Sequence, residues 1–308
     1  MTDQTIEPLI VTGEDRVAVH GMTGRQGTFW ATKMSEYGTN VVAGISPTKG
    51  GTNHLGRPVF GSAQEAAAEL GAIDISVLFV PPSAARAAVS DATRAGARLV
   101  VVLTEFIPVA DTMAMVAEAR AAGTAVIGPN TAGIVNPGHT FVGFMPAFDA
   151  RIFGPGPVGV VSRSGSLGTL TAVELTRAGF GISSFLGVGG DPVSGTSTAE
   201  AVAALERHPD TDAIVVIGEI GGRKEEDAAV VIDGCTKPVV AFVAGVASPP
   251  GKRMGHAGAI VEGTTGNHES KRSALVEAGA IVVDVPWDIP TAISDHVPRH
   301  SVAGSDVI

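Results

Sequence analysis

Short apolar runs alternate with alanine-rich amphipathic stretches from residue 16 to residue 127, and the same alternation restarts at residue 158 and continues to residue 283. The first runs, 16–19, 40–45, 75–80, 99–103 and 125–127, are too short for helices, and most are apolar on both faces, as strands covered on both sides must be. The stretches between them, 28–37, 63–70, 84–95 and 112–122, have helical length and spacing. Parallel neighbours need a crossover of this kind, so the rhythm predicts an α/β fold with helices on both faces of a parallel sheet. The second series predicts strands at 158–161, 182–186, 213–217, 238–243 and 280–283, with helices at 166–178, 196–207, 224–232 and 269–278. We therefore expect a Rossmann-like domain at 10–130, a flavodoxin-like doubly wound domain at 158–297 and a disordered tail at 298–308. The Gly- and Pro-rich passage at 131–157, from Gly133 to Gly154-Pro155-Gly156-Pro157, reads as a linker or crossover hairpin.

With 308 residues the chain can bury two cores. Its net charge of −10 argues against the basic surface that nucleic acid requires, so any phosphate site must be local. One cysteine, Cys235, excludes an intramolecular disulfide and a cysteine-rich zinc site, and fits a reducing, cytoplasmic compartment. No apolar stretch approaches the ~18 residues of a membrane span, and residues 1–9 lack the apolar core of a signal peptide. A soluble, unexported chain is expected. No histidine pair has H-E-x-x-H or comparable spacing, so no metal is expected on this chain; His208, His268, His296 and His300 read as surface residues. Neither G-x-S-x-G nor G-x-x-x-x-G-K-[S/T] occurs, which excludes a nucleophile elbow and a Walker-type ATP site.

Three segments carry chemistry. Gly21-Met22-Thr23-Gly24-Arg25-Gln26-Gly27-Thr28 stands between the first predicted strand and its helix, where glycines let the backbone approach a phosphate that the helix dipole favours. Its G-x-x-G-x-x-G spacing is not the strict dinucleotide fingerprint, and a tight turn would use the same glycines. Lys49 follows the second strand where an NAD enzyme places an acid on the ribose, which favours a ribose carrying phosphate, hence NADP or coenzyme A. Ser164-Gly165-Ser166 opens a helix in the second half and offers a second anion site, or an ordinary serine cap. His256, between Gly255 and Ala257 on a loop opening at Ser248-Pro249-Pro250, has little steric cover and suits a side chain that carries a group between two sites. Glu219, at the end of an apolar strand, could accept one imidazole N–H and leave the other nitrogen nucleophilic.

Taken in order, these segments resemble the α subunit of succinyl-CoA synthetase (succinate–CoA ligase), from about residue 17 to residue 284. The resemblance is carried by Thr23-Gly24-Arg25-Gln26-Gly27-Thr28-Phe29, Pro47-Thr48-Lys49-Gly50-Gly51, Thr104-Glu105-Phe106-Ile107-Pro108 and Gly128-Pro129-Asn130. In the second half it is carried by Ser162-Arg163-Ser164-Gly165, Gly189-Gly190-Asp191-Pro192, Gly218-Glu219-Ile220-Gly221-Gly222 and the run from Gly251 to Ile260. The resemblance implies that the N-terminal domain binds CoA through Thr23, Gly24, Arg25, Gln26, Lys49, Leu103, Thr104 and Glu105. It also implies that His256 is phosphorylated with Glu219 in support, and that a partner β subunit of ATP-grasp fold supplies magnesium and the nucleoside triphosphate. His256 would then pass its phosphoryl group to a small carboxylic acid, and CoA would attack the acyl phosphate, with Ser164, Gly165 and Ser166 binding phosphate.

Departures from the family pattern bear on the acid. Thr131 stands where the family commonly has Cys, Thr169 where succinate-specific members have Tyr, and Trp30 where His is usual. Smaller hydroxyl side chains enlarge or re-polarise an acid pocket, so the acid is succinate or another short dicarboxylate such as malate. Two other classes stay open: a CoA-binding regulatory protein without the chemistry, and an NADP-dependent dehydrogenase.

Overall fold

A computed structural model describes residues 8–248, 256, 258–259 and 266–299. The first sheet contains β1 (Val17–His20), β2 (Val41–Ile45), β3 (Thr52–His54), β4 (Arg57–Phe60), β5 (Ile75–Leu78), β6 (Leu99–Val102) and β7 (Ala125–Ile127), in the order β3-β4-β2-β1-β5-β6-β7. Every neighbouring pair is parallel except β3 with β4. Helices α1 (Arg25–Tyr37), α2 (Ala63–Leu70), α3 (Pro82–Arg94) and α4 (Val109–Ala121) make the crossovers. With β3 set aside, strand order reverses between β1 and β5, the switch point at which Rossmann sheets hold ligands. α1 shows how local sequence defines an element: Gly27, Ala31 and Met34 give it a buried stripe at helical spacing, and Gly38, at φ 116°, ends it by donating to Met34 O and Ser35 O.

The second sheet contains β8 (Gly133–Asn136), β9 (Thr140–Gly143), β10 (Pro155–Ser162), β11 (Ile182–Gly187), β12 (Ala213–Glu219), β13 (Val239–Ala244) and β14 (Ile281–Val283). Their order is β14-β13-β12-β10-β11-β8-β9, and its parallel part reverses between β10 and β12, as in flavodoxin. α5 (Gly165–Arg177), α6 (Thr198–Arg207), α7 (Lys224–Ile232), α8 (His268–Glu277) and α9 (Ile289–Ile293) accompany it. One apolar cluster runs from Val17 and Met34 in the first half through Phe141 and Phe153 to Phe185 and Val215 in the second. No helix among the described residues is long and apolar enough to cross a membrane.

Both sheets depart from the all-parallel expectation at their edges, and glycine is the reason. β3 and β4 form a hairpin closed by Leu55 (φ 53°) and Gly56 (φ 71°), a turn with both central residues left-handed whose usual Asn-Gly or Asp-Gly signal is missing. Gly133 and Gly143 face one another across β8 and β9, where a Cβ on either would stand 2.1–2.2 Å from a partner carbonyl oxygen. The passage at 131–157 is Gly-rich because two backbones meet there, and its hairpin is the edge of the second sheet. His208 is buried, not superficial: it follows α6, and its Nδ1 lies 2.9 Å from Thr211 Oγ1. Most of the expected tail, residues 300–308, lies outside the described residues.

His20 ends β1 as a fully buried residue whose Nε2 lies 3.2 Å from Ser76 Oγ. Burial lowers its pKa to about 4, against the opposing pull of Asp91. Below pH 6.5 the unfolded chain binds a proton that the native chain does not, so stability falls as pH drops from about 6.5 toward 4 and is fully present above that window. The loss amounts to about 3 kcal/mol. His20→Gln is expected to flatten this part of the stability profile, measured by urea unfolding at pH 7 and pH 4.5.

Candidate functional site

The C-terminal edges of the two sheets carry the residues singled out by sequence. In the first sheet, Gly21 leaves β1 at φ 76°, and a Cβ there would stand 2.3 Å from Phe79 O. A Cβ on Gly27 would stand 2.2 Å from Gly21 O, so the spacing of these glycines is set by the seating of α1 on the turn. Gly24 is the N-cap and has no side chain to cap the helix, which leaves the first amides of α1, those of Arg25, Gln26 and Gly27, open at the positive end of the dipole. Gly24, Arg25 and Gln26 are exposed, Thr23 is half-buried, and Lys49 is exposed on the turn after β2, with no ion-pair partner among the described residues. Leu103 is buried at the end of β6, Thr104 Oγ1 donates to Val80 O at 2.7 Å, and Glu105 is exposed. Open amides, an unpaired lysine and close backbone approach fit a phosphate-bearing ligand. Next to them stands Phe106, at φ 61° and 74% exposed.

In the second sheet, β10 delivers Arg163, Ser164 and Gly165, and β12 ends on Glu219, the two strands flanking the switch point. His256 Nδ1 lies 2.5 Å from Glu219 Oε2. A neutral imidazole with this partner carries its proton on Nδ1 and presents the Nε2 lone pair outward. Gly190 packs on the ring: a Cβ there would stand 2.5 Å from His256 Cγ. The hydrogen bond to Glu219 raises the pKa of His256 above 6.5, against burial and the charge of Arg163. A cleft of about 310 Å³ adjoins the ring, lined by Ser164, Leu167, Gly218, Glu219, Ile220, Ala244, Gly245, Ser248, His256 and Ala259. Residues 249–255, and with them most of the approach to His256, lie outside the described residues.

Ser164 is the N-cap of α5, its hydroxyl accepting from Leu167 N at 3.3 Å and lying 3.4 Å from Ser166 Oγ. This satisfies one donor and leaves the amides of Gly165 and Ser166 for an anion. Thr169 is one turn further, outside the lining of the cleft, and its hydroxyl donates to Gly165 O at 2.8 Å. Thr131 is buried, its hydroxyl donating to Gly187 O and accepting from Gly133 N at 3.0 Å. Both hydroxyl protons are committed within the chain, so these residues alter bulk more than polarity. Trp30 packs against Phe29 at 5.0 Å and Phe144 at 6.2 Å, in the seam between α1 and the loop after β9.

Three residues at the centre had no role from sequence. Arg163 has 2% of its side chain exposed, and its Nη2 lies 3.0 Å from Glu219 Oε1 without an aligned hydrogen bond, while its Nη1 donates to Glu219 O at 3.1 Å and Glu225 Oε1 at 3.0 Å. A charged residue two positions past the apolar run 158–161, directly after the end of β10, was the available signal. Asp191 accepts from Asn130 Nδ2 at 2.9 Å, and its carbonyl accepts from Lys224 Nζ at 2.7 Å. Burial, then the charge of Arg163, brings Lys224 down to a pKa of about 8. Asn130 N donates to Thr104 O at 3.0 Å, so one short path of hydrogen bonds joins the Thr104 segment to Asp191 and the glycine under His256. Among the described residues no group of three or more His, Cys, Asp or Glu could hold a metal ion.

The ion pair of His256 with Glu219 contributes stability below pH 6.5 and loses it as pH rises through the raised pKa. Glu219→Gln is expected to move the His256 titration to lower pH, toward 6.5, followed by the ring proton resonances. Gly190→Ala should move it the same way with the carboxylate intact, because the added methyl displaces the imidazole.

Residues 12–106 match the family model for a CoA binding domain, and residues 161–281 that for a CoA-ligase domain. The chain is 47% identical to the α 2 subunit of ADP-forming succinate–CoA ligase from Archaeoglobus fulgidus, over 93% of this chain and 99% of that one. It is 40% identical to the malate–CoA ligase α subunit of Methylorubrum extorquens, over 94% of this chain and 99% of that one. Among solved structures, a mutant ATP citrate lyase from Methanosaeta concilii in complex with (3S)-citryl-CoA superposes with a TM-score of 0.86 at 25% identity. That superposition covers 94% of this chain but only 51% of the lyase. A chain whose two halves match CoA-binding and CoA-ligase models in this order, with such identity end to end, belongs to the succinate–CoA ligase (succinyl-CoA synthetase) α-subunit family of CoA ligases.

Proposed function

We propose that this chain is the α subunit of a nucleoside-diphosphate-forming acid–CoA ligase, with His256 as phosphoryl carrier. The observation that carries the reading is the His256–Glu219 pair, which holds the proton on Nδ1 and leaves Nε2 free beside the cleft at the start of α5. In this reading residues 10–130 hold CoA, residues 131–157 carry the chain across, and residues 158–297 handle phosphoryl and acyl transfer in the cytoplasm. The CoA phosphates meet the Thr23-Gly24-Arg25-Gln26 turn through the open amides of Arg25 and Gln26 and the ammonium of Lys49, while Leu103, Thr104 and Glu105 border the nucleotide end.

Nε2 attacks the terminal phosphorus of a nucleoside triphosphate held with magnesium on a β subunit of ATP-grasp fold, and the bond to the diphosphate oxygen breaks. Glu219 keeps the Nδ1 proton and balances the cationic ring that the new P–N bond creates. The amides of Gly165 and Ser166 meet the phosphoryl oxygens. A substrate carboxylate oxygen then displaces His256 from phosphorus to give an acyl phosphate. The CoA sulfur attacks the acyl carbon, its proton passing to the inorganic phosphate that leaves. The hydrogen-bond path from Thr104 through Asn130 to Asp191 supports coupling of the CoA segment to this centre.

Co-expression with a β chain and incubation with labelled ATP is expected to give acid-labile phosphate on the wild-type chain and none on His256→Asn; equal labelling of both would remove His256 from the mechanism. Relatives named for succinate, malate and sulfoacetate all align along nine-tenths or more of the chain, which supports a short acid with two anionic ends, and our reading is a short dicarboxylate, succinate or malate. If Thr169 sets the room for the acid, Thr169→Tyr shifts kcat/KM toward succinate by about tenfold or more. An unchanged ratio across an acid panel would acquit Thr169.

A further inference from the structure

Glu225 on α7 and Lys271 on α8 are both 0% exposed and take no part in the steps above. Burying such a pair gains little over apolar residues of the same volume, so its presence needs another explanation. Its bonds supply one. Glu225 Oε1 accepts from the backbone N–H of Glu219 at 3.1 Å and from Arg163 Nη1 at 3.0 Å, so one oxygen holds both the main chain of Glu219 and the guanidinium beside it. Gly218 permits the approach, since a Cβ there would stand 2.8 Å from that oxygen. Lys271 Nζ grips Glu225 Oε2 and donates to Glu226 Oε2 at 2.9 Å and Gly222 O at 3.1 Å, which satisfies all three ammonium hydrogens. Against desolvation, the charges of Arg163 and Lys271 hold the Glu225 carboxyl below its ordinary pKa.

Ala244 and Gly266, which flank the His256 segment in sequence, are bonded to the same place. Ile220 N donates to Ala244 O at 3.1 Å where the chain leaves β13, and Gly221 N donates to Gly266 O at 2.8 Å where it re-enters ahead of α8. We propose that Lys271 and Glu225 are positioning residues for His256: through Arg163 and the Glu219 main chain they hold one carboxylate oxygen against Nδ1, and through α8 they fix the return of the His256 segment. The catalytic consequence rests on the phosphoryl-carrier reading; the alignment does not.

The charges acting on the imidazole are Glu219 from β12, Arg163 after β10 and Asp191 after β11, and Lys271 is not among them. Removing a cation would by charge alone raise a histidine pKa, whereas lost alignment with Glu219 lowers it, so in a variant that removes Lys271 alone the direction of the shift identifies the cause, and removing Lys271 together with Glu225 leaves the net charge unchanged. In full-length Lys271→Met, and in Lys271→Met/Glu225→Leu, which leaves neither charge of the pair unmatched, His256 should titrate at lower pH than in the wild type. In complex with the partner chain, kcat should fall about ten- to a hundredfold with KM for CoA unchanged, by analogy with the groups that orient metal-ligating imidazoles. A folded double variant whose His256 titrates as in the wild type overturns the proposal. If the wild type takes no phosphate from ATP but its titration moves with Lys271, the carrier reading fails and the positioning role stands.

Discussion

The guanidinium of Arg163 is the point on which the functional edge of the second sheet closes. It leaves β10 at the switch point and meets the Glu219 carboxylate, the Glu219 carbonyl and Glu225 with almost no access to water. Charges so placed are costly to bury and are tolerated only when each has several partners in good geometry. That condition fixes the spacing between β10, β12 and α7, and with it the direction of Glu219. A carboxylate held on one side by a cation and on its backbone by Glu225 has little freedom left, which suits the orientation of an imidazole.

The two halves divide the chemistry by the same physical device used twice. Each sheet reverses its strand order once, and beside each reversal stands a helix N-terminus with open amides. In the first, glycine replaces the cap, so the amides of α1 are bare and the backbone comes close. In the second, Ser164 caps one amide and leaves two. Asn130, bonded to Thr104 on one side and Asp191 on the other, joins the segments that follow β6 and β11.

Much of this was legible in sequence because strand and helix periods are local properties. Uniformly apolar runs such as 213–217 have one reading in a chain of this rhythm, and a strand followed by glycines and a helix marks a phosphate turn. Illegible parts were those where glycine serves tertiary contact. Gly133 and Gly143 looked like a linker because nothing local distinguishes a glycine that turns the chain from one that admits another backbone. The hairpin at Leu55-Gly56 was missed because its turn lacks the usual sequence signal, and the burial of His208 because part of its cover is distant in sequence: Lys237 Nζ donates to His208 O at 2.7 Å.

The sequence by itself determined the α/β class, the doubling of the fold, the glycine turn after the first strand and, as separate candidates, His256 and Glu219. All follow from residue type and short-range spacing. Only tertiary structure decided that Glu219 and His256, 37 positions apart, face each other, and that Arg163, Glu225 and Lys271 form the buried charge cluster behind them. An ion pair in the interior has no local signature, because it is the cost of leaving each charge unpaired that brings the partners together, and that cost arises only when the chain is folded around them.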